Sequence, residues 1–511
     1  MKKDKPAAIA RRPDTGLQKK LLRFFPEGYL VGGALRDHLL RRRFCDLDLA
    51  VKSQALAARG KSLARELGAS FFALDEANGV YRLSAPDGLQ IDLAAMQGPD
   101  IGTDLARRDF AINAMAYPLA AENLLITYSP KTGVKLCGLK DKNLLDPFDG
   151  KTGLKKKTIA LACPRALEED PLRLLRAFRL NAELGFRPDK KLLAGIKNSA
   201  PRISRISGER IREELLKTLA PDGAAQRLRQ METCGLLEAL FPHTTEQKNC
   251  ARVYYGQGGV LLHTFNALDR LELLLKEPRA VFPQFHARLA AEKLSAPILK
   301  LAVLLHDIAK PATAKKIDGR LRFFGHEETG ADMAQELLAS LRFSRAEIKM
   351  VCAVIREHMR PGNLAANAVV SDKAVYRFFR DLDGYAVAAL LACWADHASY
   401  MPLANLRRML KRAQQTPRPI KPGSLPREGT ARTLRHLQVI NHMLRLYFVE
   451  RDRILPQKLL TGNDIMKAFG LKPGPEIGRL LDLAALAQVQ GKAADKQSLL
   501  AYVKKNVKLN L

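Results

Sequence analysis

The hydrophobic pattern changes once along the chain, at about residue 155. Before that point, short apolar runs bounded by polar residues have the length and alternation of β-strands. One longer stretch, residues 53–68, repeats its apolar positions at intervals of three and four, as one face of a helix does. The strand-like runs are residues 29–33, 45–51, 80–85 and 89–96. The first part of the chain is therefore predicted to be an α+β domain of modest size.

Beyond about residue 160, almost every segment has helical spacing. In residues 171–184, leucines and alanines recur at three and four while arginines occupy the opposite face. Residues 241–250 interrupt this pattern and indicate a boundary near residue 245. Residues 414–429 are rich in proline, glycine and basic side chains, so they are predicted to link the long helical region to a last one. This part of the chain is predicted to be largely all-α.

The net charge of the chain limits the kinds of partner that it is expected to bind. Among 511 residues, 84 are Lys or Arg and 53 are Asp or Glu, which gives a net charge of +31 and indicates a polyanionic partner, either nucleic acid or an anionic membrane. No apolar run reaches the ~18–20 residues that span a membrane, so nucleic acid is favoured. The N-terminus is basic without an apolar segment, and the seven cysteines form no C-x-x-C pair. These features predict a cytoplasmic protein with reduced thiols.

A pair of aspartates follows a glycine pair in the first domain. Asp46 and Asp48 alternate with leucines, so on a strand both carboxylates project from one face. Adjacent carboxylates repel one another unless a cation lies between them, and Mg²⁺ is commonly held by one or two carboxylates together with substrate phosphates. Gly32 and Gly33 would let backbone N–H groups approach a phosphate at a helix start. The alternative interpretation is a turn or a solvated strand end.

A second polar pair lies near the start of the helical part. Asp170 and Arg173 are three residues apart and are expected to share one helix face. The carboxylate accepts hydrogen bonds and the guanidinium donates several, so the pair could complement the edge of a nucleotide base. The alternative is an ion pair on the surface, which would contribute only a few tenths of a kcal/mol.

The histidines concentrate in the second helical block. With two aspartates they form a set in the order H…HD…H…H…D. An isolated histidine on an apolar helix is usually a core residue, but six ligand-type residues in this order predict a metal site. Imidazole and carboxylate ligands suit Mn²⁺, Ni²⁺, Co²⁺ or Fe²⁺. The candidate ligands are His263, His306, Asp307, His326, His358 and Asp396.

The first domain resembles the nucleotidyltransferase core of the class II CCA-adding enzymes, the bacterial tRNA nucleotidyltransferase and poly(A) polymerase family. The resemblance lies in GGALRD at residues 32–37 and DLD at residues 46–48. The histidine block resembles an HD-domain metal phosphohydrolase. Further segments match motifs of the family in the same order, namely residues 107–115, 144–159, 168–180, 208–215 and 459–481.

The resemblance implies a fold and its division. A small mixed-sheet, polymerase β-like head is expected, followed by a largely all-α neck, an HD domain and a tail. The expected ranges are 1–20 for a basic N-terminal arm, 21–155 for the nucleotidyltransferase head, 156–250 for the neck that recognises nucleotides and binds RNA, 251–405 for the HD domain, and 406–511 for the linker and a tRNA-binding tail.

The resemblance also implies a reaction. Members transfer CMP, and in many cases AMP, to the 3′ end of tRNA without a template, with Mg²⁺ bound and pyrophosphate released. Asp46 and Asp48 would be the catalytic carboxylates that hold Mg²⁺, with Asp92 either a third acidic residue or a strand-end aspartate. Asp170 and Arg173 would select CTP and ATP over GTP and UTP. The other expected nucleotide-binding residues are Gly32, Gly33, Arg36, Arg108, Asp109, Asn113, Arg176 and Arg179.

A short segment bears on which nucleotides are added. Only residues 93–107 connect Asp92 to the next motif, whereas full CCA-adding members carry a longer flexible loop there. The short segment favours a CC-adding enzyme, with full CCA addition as the alternative. Poly(A) polymerase is less favoured because no basic GRRFR-like stretch follows the DLD strand.

Two other readings stay open at this point. In one, the chain acts mainly as an HD-domain phosphohydrolase on terminal or cyclic phosphates of RNA. In the other it only binds RNA, and the HD domain helps hold tRNA. The expected partners are tRNA, CTP and in some cases ATP. A membrane is not expected as a partner.

Overall fold

The computed structural model describes residues 16–52, 54–366, 369–421, 424 and 429–507. It divides into two compact units, the first ending at Arg205 and the second beginning at Ile206. This division is coarser than the predicted domains, whose boundaries stay predictions. Residues 1–15 of the expected N-terminal arm and much of the expected linker lie outside the described residues, while a helix begins at Gly16.

The first unit contains a six-stranded mixed sheet and two small ladders. The order in the large sheet is β3-β4-β5-β2-β1-β6, in which only the β2–β5 pair is parallel. The strands of this unit are β1 (Tyr29–Val31), β2 (Asp46–Val51), β3 (Ser70–Asp75), β4 (Val80–Ser84), β5 (Gln90–Ala95), β6 (Ala116–Pro118), β7 (Leu125–Ser129), β8 (Gly133–Cys137), β9 (Thr158–Ile159) and β10 (Arg187–Pro188).

The alternation along β2 places its carboxylates as predicted. Leu47 and Leu49 are fully buried on one face, while Asp46 is exposed and Asp48 half-buried on the other. The parallel register sets Asp48 opposite Asp92 of β5. The centre of the sheet therefore carries three carboxylates on one face.

The first unit also contains helices that pack around the sheet and beyond it. Residues 53–68 were expected to be helical, and a helix covers most of them. The helices are α1 (Gly16–Phe24), α2 (Gly32–Leu39), α3 (Leu56–Leu67), α4 (Ile101–Ala106), α5 (Gly150–Lys156), α6 (Ala166–Glu169), α7 (Arg173–Leu184) and α8 (Lys190–Ser199).

The second unit is helical apart from one hairpin. The hairpin strands are β11 (Lys315–Ile317) and β12 (Arg320–Arg322). The helices up to Ala413 are α9 (Gly208–Leu219), α10 (Ala224–Thr233), α11 (Leu236–Leu240), α12 (Thr244–Asn249), α13 (Arg252–Tyr255), α14 (Gly259–Lys276), α15 (Pro278–Val281), α16 (His286–Ala291), α17 (Ala296–Leu305), α18 (Lys310–Thr313), α19 (His326–Ser340), α20 (Arg345–Glu357), α21 (Arg360–Ala365), α22 (Asp372–Leu382), α23 (Ala386–Ser399) and α24 (Leu403–Ala413).

The last part of this unit follows the expected linker. Its helices are α25 (Thr430–Val449), α26 (Arg451–Ile454), α27 (Gly462–Phe469), α28 (Pro475–Val489) and α29 (Lys496–Asn506). The prediction of an α+β head followed by a largely helical chain is confirmed. Among the described residues, no helix has both the length and the apolar character to cross a membrane. All seven cysteines are free.

The core of the second unit is built on helices that are apolar all round. Helix α23 is buried along nearly its whole length, including Trp394 with no exposed surface. Such a helix must be enclosed by neighbours on every side, and α14, α20 and α25 pack against it. Two of these central helices, α14 and α23, carry His263 and Asp396, so part of the candidate metal site lies in the buried core of the unit.

We expect Lys300→Met to lower the free energy of unfolding by about 3–5 kcal/mol. Lys300 is 2% exposed, and its Nζ lies 2.9 Å from both the carbonyl oxygen of Leu219 and the carboxylate of Glu272. Removal of this cation leaves the carboxylate with the backbone N–H of Ala224, at 2.8 Å, as its only partner among the described residues, and leaves the carbonyl at the end of α9 without its partner. Urea denaturation measures the change. Lys276→Met is the control, because Lys276 is exposed and 3.9 Å from Asp222. An equal loss in both variants would contradict the prediction.

Candidate functional site

The carboxylate pair is held against the start of helix α2. Gly33 donates its backbone N–H to Oδ2 of Asp48 at 3.0 Å. Gly32 adopts a φ of +68°, and a Cβ at that position would lie 2.7 Å from the same oxygen. Glycine is therefore required there both by conformation and by close approach. The Gly33 N–H expected to face a phosphate is thus used to hold the carboxylate.

The three carboxylates of β2 and β5 repel one another. Burial and then the charge of Asp92 raise the pKa of both Asp46 and Asp48 above the usual range. Arg82 of β4 neutralises Asp92 through two hydrogen bonds of 2.7 Å each. Sequence reasoning missed Arg82, because its pairing with Asp92 depends on the register of β4 and β5. A site formed by oxygen ligands whose charges are not balanced fits a divalent cation such as Mg²⁺.

Four of the predicted nucleotide-binding residues form one hydrogen-bonded chain. Arg36 donates to Oδ1 of Asn113 at 2.8 Å, and Asn113 donates to Oδ1 of Asp109 at 3.1 Å. Arg176 of α7 lies 2.6 Å from Oδ2 of Asp109. Burial alone would raise the pKa of Asp109, but the Arg176 guanidinium holds it below the usual range. The structure thus brings α2, the 109–113 segment and α7 together around a buried carboxylate.

Two further predicted arginines have different surroundings. Arg108 lies 3.1 Å from Asp104 of α4, and its guanidinium would be 3.4 Å from a Cβ on Gly32, which places it beside the carboxylate pair. Arg179 lies 3.3 Å from Glu183, one turn along the same helix. Arg108 therefore belongs to the carboxylate site, whereas the measured contact of Arg179 is an ion pair along α7.

The prediction that Asp170 and Arg173 share a helix face is wrong. Helix α6 ends before Asp170, which has an extended backbone with φ −138° and ψ 97°. The cause is Pro171, because the residue before a proline is excluded from the helical region. Helix α7 begins at Arg173, whose guanidinium donates to the carbonyl oxygens of Ala166 at 3.0 Å and Arg107 at 2.7 Å. The Arg173 side chain therefore links the chain at the break between the two helices to the 107–109 segment.

The histidine set forms one buried cluster in the second unit. All six side chains are buried, and each is positioned by the end or the middle of a helix. The Nδ1 atoms of His306, His326 and His358 lie 2.6–2.8 Å from the backbone carbonyl three residues earlier. A carbonyl can only accept a hydrogen bond, so Nδ1 must carry the proton and Nε2 keeps a lone pair. His263 is fixed in a comparable way by Ser399, at 3.0 Å from Nδ1.

The free sides of these residues face a common centre. Ligand atoms of His263, His306 and Asp396 lie within 4.8 Å of one another, as do those of His306, Asp307 and His358. Nε2 of His326 lies 3.5 Å and Nε2 of His358 3.7 Å from Oδ1 of Asp307. Among the described residues, none of these three atoms has a hydrogen-bond partner, although all are buried. Buried polar atoms without a partner are costly, so the cluster fits a metal ion.

The protonation of the cluster also fits a metal. Burial, and after it the charge of His306, lower the pKa of His358 to about 3, which leaves a neutral imidazole. Burial alone would lower the pKa of His306, but the charge of Asp307 raises it.

Three residues around this centre were missed from the sequence. Lys310 is buried with its Nζ 2.6 Å from Oδ2 of Asp307 and 3.1 Å from the hydroxyl of Tyr255. The ring of Tyr255 stacks on His263 with centroids 4.7 Å apart, and the ring of Tyr400 lies 5.0 Å from His263. The available signal for Lys310 was its position three residues after Asp307. The two tyrosines reach the centre only through the packing of separate helices.

Three family models match successive parts of the chain. A model described as "Poly A polymerase head domain" matches residues 28–160, which contain the carboxylate site. One described as "Probable RNA and SrmB- binding site of polymerase A" matches residues 185–248. The HD domain model matches residues 261–412, which contain the histidine cluster.

Curated proteins match nearly the whole chain. An A-adding tRNA nucleotidyltransferase from Deinococcus radiodurans is 28% identical over 94% of this chain and 96% of its own length. A CC-adding tRNA nucleotidyltransferase from Synechocystis is 26% identical over 93% of each chain, and one from Thermus thermophilus is 28% identical over 93% of each.

Solved structures have the same fold. The Thermotoga maritima CCA-adding enzyme complexed with tRNA has a TM-score of 0.59 at 21% identity, covering 96% of this chain and 94% of that one. A CCA-adding enzyme in complex with CTP has a TM-score of 0.58 at 21% identity, covering 94% of this chain and 92% of that one.

Proposed function

Because the chain belongs to the family of bacterial tRNA nucleotidyltransferases and poly(A) polymerases, we propose that it adds CMP to the 3′ end of tRNA without a template. The observation that carries the proposal is the carboxylate pair Asp46 and Asp48 on β2, with Asp48 held by the Gly33 N–H and with Arg36 and Arg108 next to the glycine pair. The net charge of +31 suits a tRNA substrate, because phosphate contacts dominate affinity for RNA.

In this reaction the terminal ribose hydroxyl attacks the α-phosphate of the nucleotide, and pyrophosphate leaves. Asp46 and Asp48 would hold Mg²⁺, which when bound stabilises the charge on the reacting phosphate and the leaving group. Arg36 and Arg108 beside the glycine pair, and Arg176 beside Asp109, would supply positive charge for the triphosphate. Asp109 and Asn113 hold two of these guanidinium groups in place. Arg36 donates to Asn113 at 2.8 Å, Asn113 donates to Asp109 at 3.1 Å, and Asp109 forms an ion pair of 2.6 Å with Arg176.

The segment after Asp92 supports the addition of cytidines only. Strand β5 ends at Ala95 and helix α4 begins at Ile101, so only residues 96–100 connect them. A segment of this length has little room to rearrange the site between two base specificities. Relatives named CC-adding, A-adding and multifunctional CCA proteins resemble the chain over similar lengths, so the choice rests on this segment. On the family resemblance we assign base selection to Asp170 and Arg173, which lie at the break between α6 and α7 and not on one helix face.

Incubation with three tRNA ends and one nucleotide at a time tests this function. The ends are a tRNA truncated before CCA, one that carries the first C and one that carries both. We expect CTP to add two residues to the first end and one to the second, and ATP to add nothing to the third. Gel mobility at single-nucleotide resolution measures each product.

The other outcomes have defined meanings. Addition of A to the third end would overturn the restriction to cytidine and leave the transferase function. Repeated addition of A to every end would indicate a poly(A) polymerase. If no nucleotide is incorporated at any end, the transferase proposal itself is contradicted.

A second function is favoured by the histidine cluster. We propose that its bound metal, one of Mn²⁺, Ni²⁺, Co²⁺ or Fe²⁺, serves a phosphohydrolase that removes terminal or cyclic phosphates from RNA. The carrying observation is the set of buried ligand atoms that face a common centre without hydrogen-bond partners among the described residues. A cluster that holds no metal would be expected to satisfy these atoms within the protein.

A further inference from the structure

A small hairpin interrupts the helices beside the metal cluster. Strands β11 and β12 pair with Ile317 opposite Arg320, so Asp318 and Gly319 alone form the turn. Both turn residues have positive φ, +49° and +73°, which is typical of the tight type I′ hairpin turn. The hairpin therefore has a defined register, and its two faces can be told apart by alternation.

One face of the hairpin carries cations without acidic partners. Lys315 lies opposite Arg322, and Arg320 follows on the same face, two residues along the strand. All three are exposed, and among the described residues no acidic side chain forms an ion pair with them. Like charges directly opposite one another destabilise a ladder. Such a face is stabilised when an anion binds between the strands.

Exposed aromatic rings adjoin this face. Phe324, two residues beyond Arg322, is 75% exposed, and Tyr254 of α13 is 50% exposed. The hydroxyl of Tyr254 accepts the N–H of Leu321 at 3.1 Å, so this ring is fixed to β12. Cations interleaved with exposed aromatic rings are typical of surfaces that bind single-stranded nucleic acid, where bases stack on the rings.

The hairpin is connected to the metal ligands at both sides. The carbonyl of Phe323, which follows β12 directly, accepts the hydrogen bond of His326 Nδ1 at 2.7 Å. Tyr255, the neighbour of Tyr254, stacks on His263. A chain bound on the hairpin therefore lies next to the residues that orient two of the four histidines.

We propose that the cationic hairpin surface, formed by Lys315, Arg320, Arg322, Phe324 and Tyr254, binds single-stranded RNA whose 3′-terminal phosphate enters the metal cluster. This inference rests on the proposed phosphohydrolase and names its substrate class: the ends of polynucleotides, in preference to free nucleotides. A mononucleotide could use the cluster but would leave the cationic face and its rings unoccupied. The specificity for RNA ends thus comes from the surface outside the metal centre.

Hydrolysis of two matched substrates tests the proposal on the full chain loaded with Mn²⁺. One substrate is a twelve-nucleotide RNA with a 3′-phosphate, the other 3′-CMP, and phosphate release gives kcat/KM for each. For Lys315→Ala/Arg320→Ala/Arg322→Ala we expect the ratio of oligonucleotide to mononucleotide kcat/KM to fall about tenfold or more. The slope of log KM for the oligonucleotide against the logarithm of the salt concentration should also fall by about 2, because three phosphate contacts are removed. Phe324→Ala should lower the same ratio about tenfold through lost stacking.

The matched control is Lys316→Ala, which removes one cation from the opposite face of the same hairpin. Its ratio should stay within about twofold of the wild type. The melting temperature of each variant checks folding. An unchanged ratio in the triple variant, or an equal fall in Lys316→Ala, would overturn the proposal.

Amide hydrogen exchange keeps this test separate from that of the phosphohydrolase. If the wild type releases phosphate from neither substrate, the hydrolase proposal fails. The RNA surface is then tested by itself, by measuring whether a twelve-nucleotide RNA without a terminal phosphate protects the amides of residues 315–322 from exchange. Protection by this RNA, reduced in the triple variant, supports the RNA surface. No protection, or equal protection by inorganic phosphate at the same phosphate concentration, overturns it.

Discussion

Asp48→Asn is expected to lower the rate of nucleotide addition about 10³-fold or more and to raise the melting temperature of the metal-free protein at pH 7. The rate falls because the amide cannot hold Mg²⁺ as a carboxylate does, and metal stabilisation of phosphoryl transfer amounts to several kcal/mol. The fold is preserved because the asparagine oxygen can still accept the N–H of Gly33, now 3.0 Å from Asp48.

The gain in stability follows from the direction of the pKa shift. Burial and the charge of Asp92 raise the pKa of Asp48 in the folded protein above its value in the unfolded chain. The folded state therefore binds more protons, and stability falls as the pH rises through the folded-state pKa. At pH 7, well above the unfolded-state pKa, the wild-type carboxyl therefore costs stability that the neutral asparagine does not. Below the unfolded pKa, near 4, this difference between the variant and the wild type should vanish.

Thermal melting with and without Mg²⁺ checks the stability and tRNA end-labelling checks the rate. Mg²⁺ should raise the melting temperature of the wild type and shift that of Asp48→Asn much less, because a ligand stabilises only the state that binds it. Asp87→Asn is the matched control, since Asp87 is an exposed aspartate in the turn between β4 and β5. Full nucleotide addition by Asp48→Asn would refute the metal assignment.

Local patterns in the sequence were enough to place the strand that carries Asp46 and Asp48. Alternation of Asp46 and Asp48 with leucines is a property of one strand, and it needs no knowledge of the neighbours. The pairing of Asp92 with Arg82 depends instead on the register between two strands, which no local pattern specifies. The short strands β6, β7 and β8 were missed for a related reason, because three to five residues carry too little periodicity to predict a strand.

The error at Asp170 has a different origin. The spacing of Asp170 and Arg173 was interpreted as helical although Pro171 lies between them. The restriction that proline places on the preceding residue was visible in the sequence and predicted a break there. The contact between Asp109 and Arg176 was not predictable, because the two residues are 67 positions apart and meet only through the packing of α7.

The histidine order was sufficient to predict which side chains lie together in the cluster, but not how they are held. The hydrogen bonds from Nδ1 to the carbonyl three residues earlier arise where the helices before His306 and His358 end. They fix the tautomer and leave Nε2 for the metal. The two centres consequently differ in chemistry: carboxylate oxygens alone around Asp48, and mainly imidazole nitrogens around His306. Oxygen ligands suit Mg²⁺ and imidazole ligands suit transition metals. A substitution at one centre should therefore remove the metal of that centre and leave the metal of the other in place.

His306→Ala is expected to abolish phosphohydrolase activity and to weaken transition-metal binding more than about 100-fold, while nucleotide addition continues at the wild-type rate. The loss is large because even partners that only orient a metal ligand contribute 10–100-fold to affinity, and His306 is common to both groups of converging ligand atoms. Addition is expected to continue because Asp46 and Asp48 lie in the first unit, and their oxygen ligands suit a different class of ion. Metal content by mass spectrometry, phosphate release and tRNA end-labelling measure the three effects.

His286→Ala, which changes a histidine outside the cluster, should retain all three properties. Retention of bound metal and hydrolysis by His306→Ala would contradict the ligand assignment, and loss of nucleotide addition would contradict the independence of the two centres.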